Sequence, residues 1–180
     1  MANSWLTKSA VSNVPKDLLP MMVFSDNMRS FFSFGIKAKE KGFYNHFMWM
    51  YRPGFFASQD RTFREVPTEN YVEKHRLKFC LNLMWSAKDR ATIRKRIAKD
   101  LARKWYKRTY DYLAILGQAI NMEWIQIPGL DICSDKARYL RFVDDRFDLK
   151  HPSPTNINQW LKEEAQRSRG YEVFARYSPD

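Results

Sequence analysis

The sequence predicts an α+β domain. Three observations carry this. Apolar and aromatic runs of strand length cluster between residues 21 and 83 and return at Tyr171–Tyr177. A long charged stretch after Ser86 repeats apolar residues every fourth position, which is helical spacing. Helical segments fall before, between and after the strands instead of alternating with them one by one. At 180 residues, folding should bury about 70% of the unfolded surface, enough for a core without disulfide staples. One domain over 1–180 is expected, with 1–20 as an N-terminal arm and 167–180 as a C-terminal strand or tail.

The elements follow in order. Ala2–Pro20 is irregular. Met21–Phe24 is a short apolar strand ended by Ser25-Asp26-Asn27. Met28–Lys41 has near-helical spacing, and Gly42 ends it. Phe43–Tyr51 is an aromatic, buried strand. The turn Arg52-Pro53-Gly54 leads to a strand at Phe55–Gln59, and Thr62–Val66 completes a meander. Pro67-Thr68-Glu69 opens a short helix to Lys74. Arg76–Leu83 alternates, with Leu77, Phe79, Leu81 and Leu83 on one face. Ser86 and Asp89 form a near capping box for a helix to about Lys107, with Ile93, Ile97, Leu101 and Trp105 as its apolar stripe. Tyr110–Ile120 is a second, more buried helix. Trp124–Ile132 is extended and irregular, and Cys133 precedes a helix over Ser134–Phe142. A last helix covers Asn156–Gln166, and Tyr171–Tyr177 alternates as a final strand.

Composition excludes several classes. Apolar residues are 44% and aromatic residues 16%, against a disordered chain. Six Gly and eight Pro are too few for collagen-like or low-complexity sequence. The densest apolar stretches, Leu18–Phe24 and Tyr112–Ile120, are far shorter than the ~20 residues of a membrane helix. The N-terminus shows no secretory pattern, so a cytoplasmic or virion-associated protein is expected. Two cysteines, Cys80 and Cys133, build no disulfide framework and no four-thiolate zinc site.

The net charge is +11. Lys88–Arg108 holds ten Lys or Arg against two Asp, so this window alone supplies +8. Arg94, Lys95, Arg103 and Lys104 are the candidate anion-binding residues. Such a surface would track nucleic-acid phosphates, an acidic cell-wall polymer or an acidic protein. The plainer reading is the solvated outer face of a core-packing helix. No zinc-finger, RNP-type or helix-turn-helix signature accompanies it.

Cys133 stands between an irregular segment and a helix, where backbone N–H groups and the positive dipole end favour thiolate over thiol. His46 is the candidate base. It interrupts an aromatic strand, and by alternation it shares a side with Tyr44 and Met48. The competing residues read as structural or solvated: Cys80 mid-strand, His75 between Lys74 and Arg76, and His151 before Pro152. The histidines and Cys133 lack metal-ligand spacing, and Asp144, Asp145 and Asp148 read as a solvated acidic patch. No metal or cofactor is expected.

The order of these pieces carries a resemblance: Tyr44-Asn45-His46, then Ala57-Ser58-Gln59, Pro67–Tyr71, Arg76-Leu77, Tyr110-Asp111 and Cys133-Ser134-Asp135. It resembles the circularly permuted papain-like hydrolases, the NlpC-type amidase superfamily that includes lecithin-retinol-acyltransferase-like proteins. The resemblance spans roughly Met21 to Leu161. It implies a small antiparallel sheet or partial barrel packed on helices, with Cys133 as nucleophile at a helix N-terminus and His46 as general base. Gln59 would orient the imidazole from the following strand, where Ser58 also stands. Tyr44, Ser58 and Ser134 would line the substrate site. The implied substrates are peptidoglycan or other peptide amides, or lipid acyl groups. A non-catalytic structural or adaptor protein, for example of a virion with virion proteins as partners, and a nucleic-acid binder using 88–108 are the alternatives.

Overall fold

A computed structural model of the chain describes residues 4–26, 44–59, 61–119, 127–128, 130–133, 136, 154–166 and 171–178. The core is one open sheet of seven strands: β1 (Ser4–Trp5), β2 (Met21–Ser25), β3 (His46–Arg52), β4 (Phe55–Gln59), β5 (Phe63–Pro67), β6 (Leu77–Asn82) and β7 (Tyr171–Tyr177). Their order across the sheet is β1-β7-β6-β2-β3-β4-β5. All neighbours are antiparallel except β1 and β7, which run parallel. The mixed helix-and-sheet class therefore stands.

Local chemistry explains the strands. β3 to β5 form the expected meander, and β2 pairs with the free side of β3, with 27–43 between them in the chain. Gly54 takes φ +76 in the turn between β3 and β4, a conformation that costs glycine little. In β2 and β6 every residue is buried, because the sheet is covered on both faces. Alternation then sorts the side chains into two layers. Met22, Phe24, Phe47, Trp49, Ala57 and Cys80 face one layer. Met21, Val23, Met48, Met50, Phe56, Leu77 and Phe79 face the other.

The helices are α1 (Lys8–Ser12), α2 (Glu69–Val72), α3 (Ala87–Leu101), α4 (Tyr112–Ala119) and α5 (Pro154–Gln166). Ile93 and Ile97 of α3, with Ile157 and Leu161 of α5, complete the first layer. Val11 of α1 and Tyr71 and Val72 of α2 help complete the second. The segment read as an N-terminal arm is thus folded from residue 4 onward, with Val11, Val14 and Leu19 buried. The expected helix over Met28–Lys41 and nearly all of that over Ser134–Phe142 lie outside the described residues, as does His151.

Ser86 and Asp89 form a reciprocal capping box, as the sequence indicates. The far end differs. α3 stops at Leu101, and Trp105–Lys107 form a separate 3-10 turn. A side chain repeated every fourth residue drifts by about 40° per step around a helix of 3.6 residues per turn. From Ile93 to Trp105 the stripe would rotate about 120° off the core face. Ile93 and Ile97 are fully buried, Leu101 is half-buried, and Trp105 is 70% exposed. α4 is likewise less buried than its composition suggests, with Tyr112, Leu113 and Leu116 exposed.

Candidate functional site

His46 opens β3 and is buried. Its register partner in β2 is Ser25, and it projects to the same side as Met48. Met48 pairs with Ser58 across β4, so Ser58 lies on the His46 face. Ser58 Oγ is 2.8 Å from His46 Nε2. Tyr71 Oη, from α2, is 2.9 Å from Ser58 Oγ and 3.4 Å from His46 Nε2. The Tyr71 ring also stacks parallel to the imidazole, with centroids 6.2 Å apart. The imidazole is therefore backed by two hydroxyls.

Cys133 is buried, and its thiol hydrogen-bonds with His46. Burial pushes the Cys133 thiol up. His46, the Phe47 backbone and the Tyr110 hydroxyl together outweigh burial and bring it below the ordinary thiol value. Tyr110 Oη donates to Cys133 Sγ at 3.7 Å. Cys80 shows the contrast. It is buried in the sheet without such partners, and desolvation pushes its thiol up to about 11. That agrees with a structural role.

Two anchors hold the Cys133 segment against the fold. Tyr110 reaches it from a strip that pairs with the start of β5: Phe63 N donates to Arg108 O at 2.8 Å, and Tyr110 N to Arg61 O at 2.8 Å. Asp111, buried, caps α4 through Ala114 N and also accepts from Ile127 N, each near 2.8–2.9 Å. Lys136 is the second anchor. Trp49 Nε1 donates to its carbonyl at 2.9 Å, and its buried ammonium lies 2.8 Å from both Asp100 of α3 and Asp131.

The structure brings Cys133, His46 and Ser58 together. Gln59 points elsewhere: its Nε2 donates to Arg108 O at 2.8 Å. With a side-chain period of two, the residue next to Ser58 takes the opposite face. Tyr44 is also displaced from its expected position. β3 begins only at His46, so alternation does not extend back to Tyr44, whose ring packs on Phe24 at 6.3 Å. Ser134 lies outside the described residues. His75 is buried, not solvated. Its ring sits 5.6 Å from that of Tyr71, and its Nδ1 lies 3.8 Å from Asp26 Oδ1.

The anion-binding set divides. Arg94 Nη2 donates to the carbonyls of Leu19 at 2.7 Å and Lys16 at 3.2 Å. It ties the N-terminal segment to α3, as does Arg90 through Leu18 O at 3.0 Å. Arg103 is half-buried, with Asp131 and Asp100 near 3.7–3.8 Å. Lys95 and Lys104 are exposed.

Tyr71, Tyr110, Asp111 and Lys136 are the residues to which sequence reasoning gave no role in this site, although Pro67–Tyr71 and Tyr110-Asp111 stand among the pieces of the resemblance. Asp111 had a usable signal, an Asp directly before an apolar helical run. Among the described residues no cluster of metal-ligating side chains occurs, and no helix is long and apolar enough to cross a membrane. Compared with known proteins, the chain matches no family model and no curated protein sequence.

Proposed function

We propose that this chain is a cysteine hydrolase of the permuted papain-like kind, cleaving an amide or related acyl bond through Cys133. The observation that carries the reading is the buried Cys133 thiol set against His46, whose ring Ser58 and Tyr71 back, with His46 drawing the thiol below its ordinary value. Burial alone drives a thiol the other way, so the imidazole is set against it.

The chemistry follows from the partners. The thiolate attacks the substrate carbonyl carbon, and the imidazolium gives its proton to the leaving nitrogen as that bond breaks. A thioester acyl-enzyme results. His46 then takes a proton from water, hydroxide adds to the thioester, and the acid leaves as the thiol is restored. Throughout, Nε2–H donates to Ser58, whose own proton turns toward Tyr71. A neutral hydroxyl pair fixes the ring but stabilises its cation less than a carboxylate would. Tyr110 Oη, already in contact with the sulfur, is placed to donate to charge that develops beside it. Peptide or cell-wall amides and acyl thioesters are the substrate classes.

One observation favours a second reading. Cys133 is only 2% exposed, which suits a binding or structural module that retains the pair without turnover. Alkylation by iodoacetamide against pH separates the two. In the hydrolase, Cys133 is modified rapidly below pH 7, Cys80→Ser leaves this unchanged, and His46→Ala abolishes it. Slow modification with the pH dependence of a free thiol, insensitive to His46→Ala, overturns the proposal.

A further inference from the structure

Six of the eight large apolar side chains that stand exposed among the described residues fall between 105 and 127: Trp105, Tyr106, Tyr112, Leu113, Leu116 and Ile127. Local structure gathers them in two groups, one on the 3-10 turn and one at α4. Trp105 and Tyr106 meet edge-on at 6.1 Å on the 3-10 turn. Tyr112, Leu113 and Leu116 lie within one turn of α4, at spacings that share a helix side. The bond from Ile127 N to Asp111 holds Ile127 at the start of that helix. The α4 group reaches the candidate site, because the Tyr112 ring lies 5.2 Å from that of Tyr110, whose hydroxyl touches Cys133.

Among the described residues, the exposed charges on the stretch that carries these side chains have one sign. Between residues 94 and 116 the exposed charged residues are Arg94, Lys95, Arg96, Lys99, Lys104 and Lys107, all cations. The acids of the same stretch are turned inward, Asp100 onto Lys136 and Asp111 onto backbone N–H groups. We propose that the two groups form one face that docks on a membrane surface bearing anionic phospholipid. Indole and phenol rings suit the headgroup level, Leu113, Leu116 and Ile127 the acyl boundary, and the lysines the lipid phosphates. The three aliphatic side chains offer a nucleic acid neither stacking nor hydrogen bonds, which favours lipid over a base-stacking groove. A second copy of a chain with net charge +11 would bring like charge to the same rim. The inference stands whether or not Cys133 is catalytic.

The test is co-sedimentation with vesicles of phosphatidylcholine alone and of phosphatidylcholine containing phosphatidylglycerol, with quenching of tryptophan by bromine-labelled acyl chains. The full chain sediments with the anionic vesicles, is quenched by them, and is released by salt. Trp105→Ser with Leu113→Ser weakens binding at least about tenfold. Leu83→Ser with Met84→Ser, on the exposed turn after β6, leaves it unchanged. Absence of sedimentation, equal loss in both double variants, tighter binding to an oligonucleotide than to vesicles, or a dimer broken by Trp105→Ser without vesicle binding each overturns the proposal.

Discussion

Ser58 and Tyr71 decide how strongly His46 can act. Their hydroxyls lie 2.8 and 3.4 Å from Nε2 and 2.9 Å from each other. A hydrogen bond to a charged group contributes about 1.5 kcal/mol or more, and one pKa unit is about 1.4 kcal/mol. Removing Ser58 Oγ therefore destabilises the imidazolium by enough to raise the apparent pKa of the Cys133 thiol by about one unit. We expect Ser58→Ala and Tyr71→Phe to move the alkylation midpoint upward, Ser58→Ala more. Gln59→Ala should not move it, because Gln59 serves the Arg108 carbonyl. A midpoint that responds to Gln59→Ala and not to Ser58→Ala sinks this assignment. The Cys–His pairing was legible from residue type and chain order. The third partner was not, since choosing between Ser58 and Gln59 needs the register of β4 against β3, and a one-residue slip exchanges the faces.

At the scale of elements, α3 is an internal fastener whose outer side is charged. Arg90 and Arg94 donate to carbonyls of the segment before β2, and Asp100 receives Lys136 from beyond Cys133. The ammonium of Lys136 is buried, and it also lies 4.6 Å from the centre of the Phe63 ring. Lys136→Met should leave Asp100 and Asp131 facing each other with only the more distant Arg103, near 3.7–3.8 Å, as their cation. Both are partly exposed, so water offsets some of the loss, and a cost of about 2 kcal/mol is expected instead of the larger figure for a fully buried pair. The variant should melt several degrees lower and lose the fast alkylation of Cys133, as its segment comes off Trp49. Unchanged melting and alkylation would show that Lys136 anchors nothing. The capped start of α3 could be read from Ser86 and Asp89, since a capping box is local chemistry. Its end could not, because fourfold spacing looks continuous along the chain while it rotates away from the core in space. The inward arginines were hidden for a related reason: a carbonyl acceptor leaves no mark in the sequence.

For the molecule as a whole, one sheet serves two cores. β2 lies between β3 and β6 and sends Met22 and Phe24 to one layer and Met21 and Val23 to the other. This was only half legible. The strands of the meander and β7 stand close to their expected positions, since alternation and turn residues are local signals. The seven-strand order joins β1, β2 and β6 to strands far away in the chain, and no local pattern records that. The shared strands make a specific expectation for unfolding. Phe24 packs at 5.5 Å on Phe47 in one layer, and Phe56 packs at 5.6 Å on Tyr71 in the other. Truncating either to Ala opens a cavity in a fully buried site and should cost about 3–5 kcal/mol. Because both cavities are built on the same backbone ladder, neither layer can melt while the other holds. Urea unfolding of Phe24→Ala and of Phe56→Ala, followed by tryptophan fluorescence and by far-ultraviolet circular dichroism, should each give one transition with coincident midpoints. Separate midpoints in either variant would mean that the layers fold independently. Phe56→Ala should also disturb the alkylation of Cys133 in the folded protein, because Phe56 supports the ring that backs His46. Phe24→Ala, in the layer away from the ring that backs His46, should disturb that reactivity less at the same loss of stability.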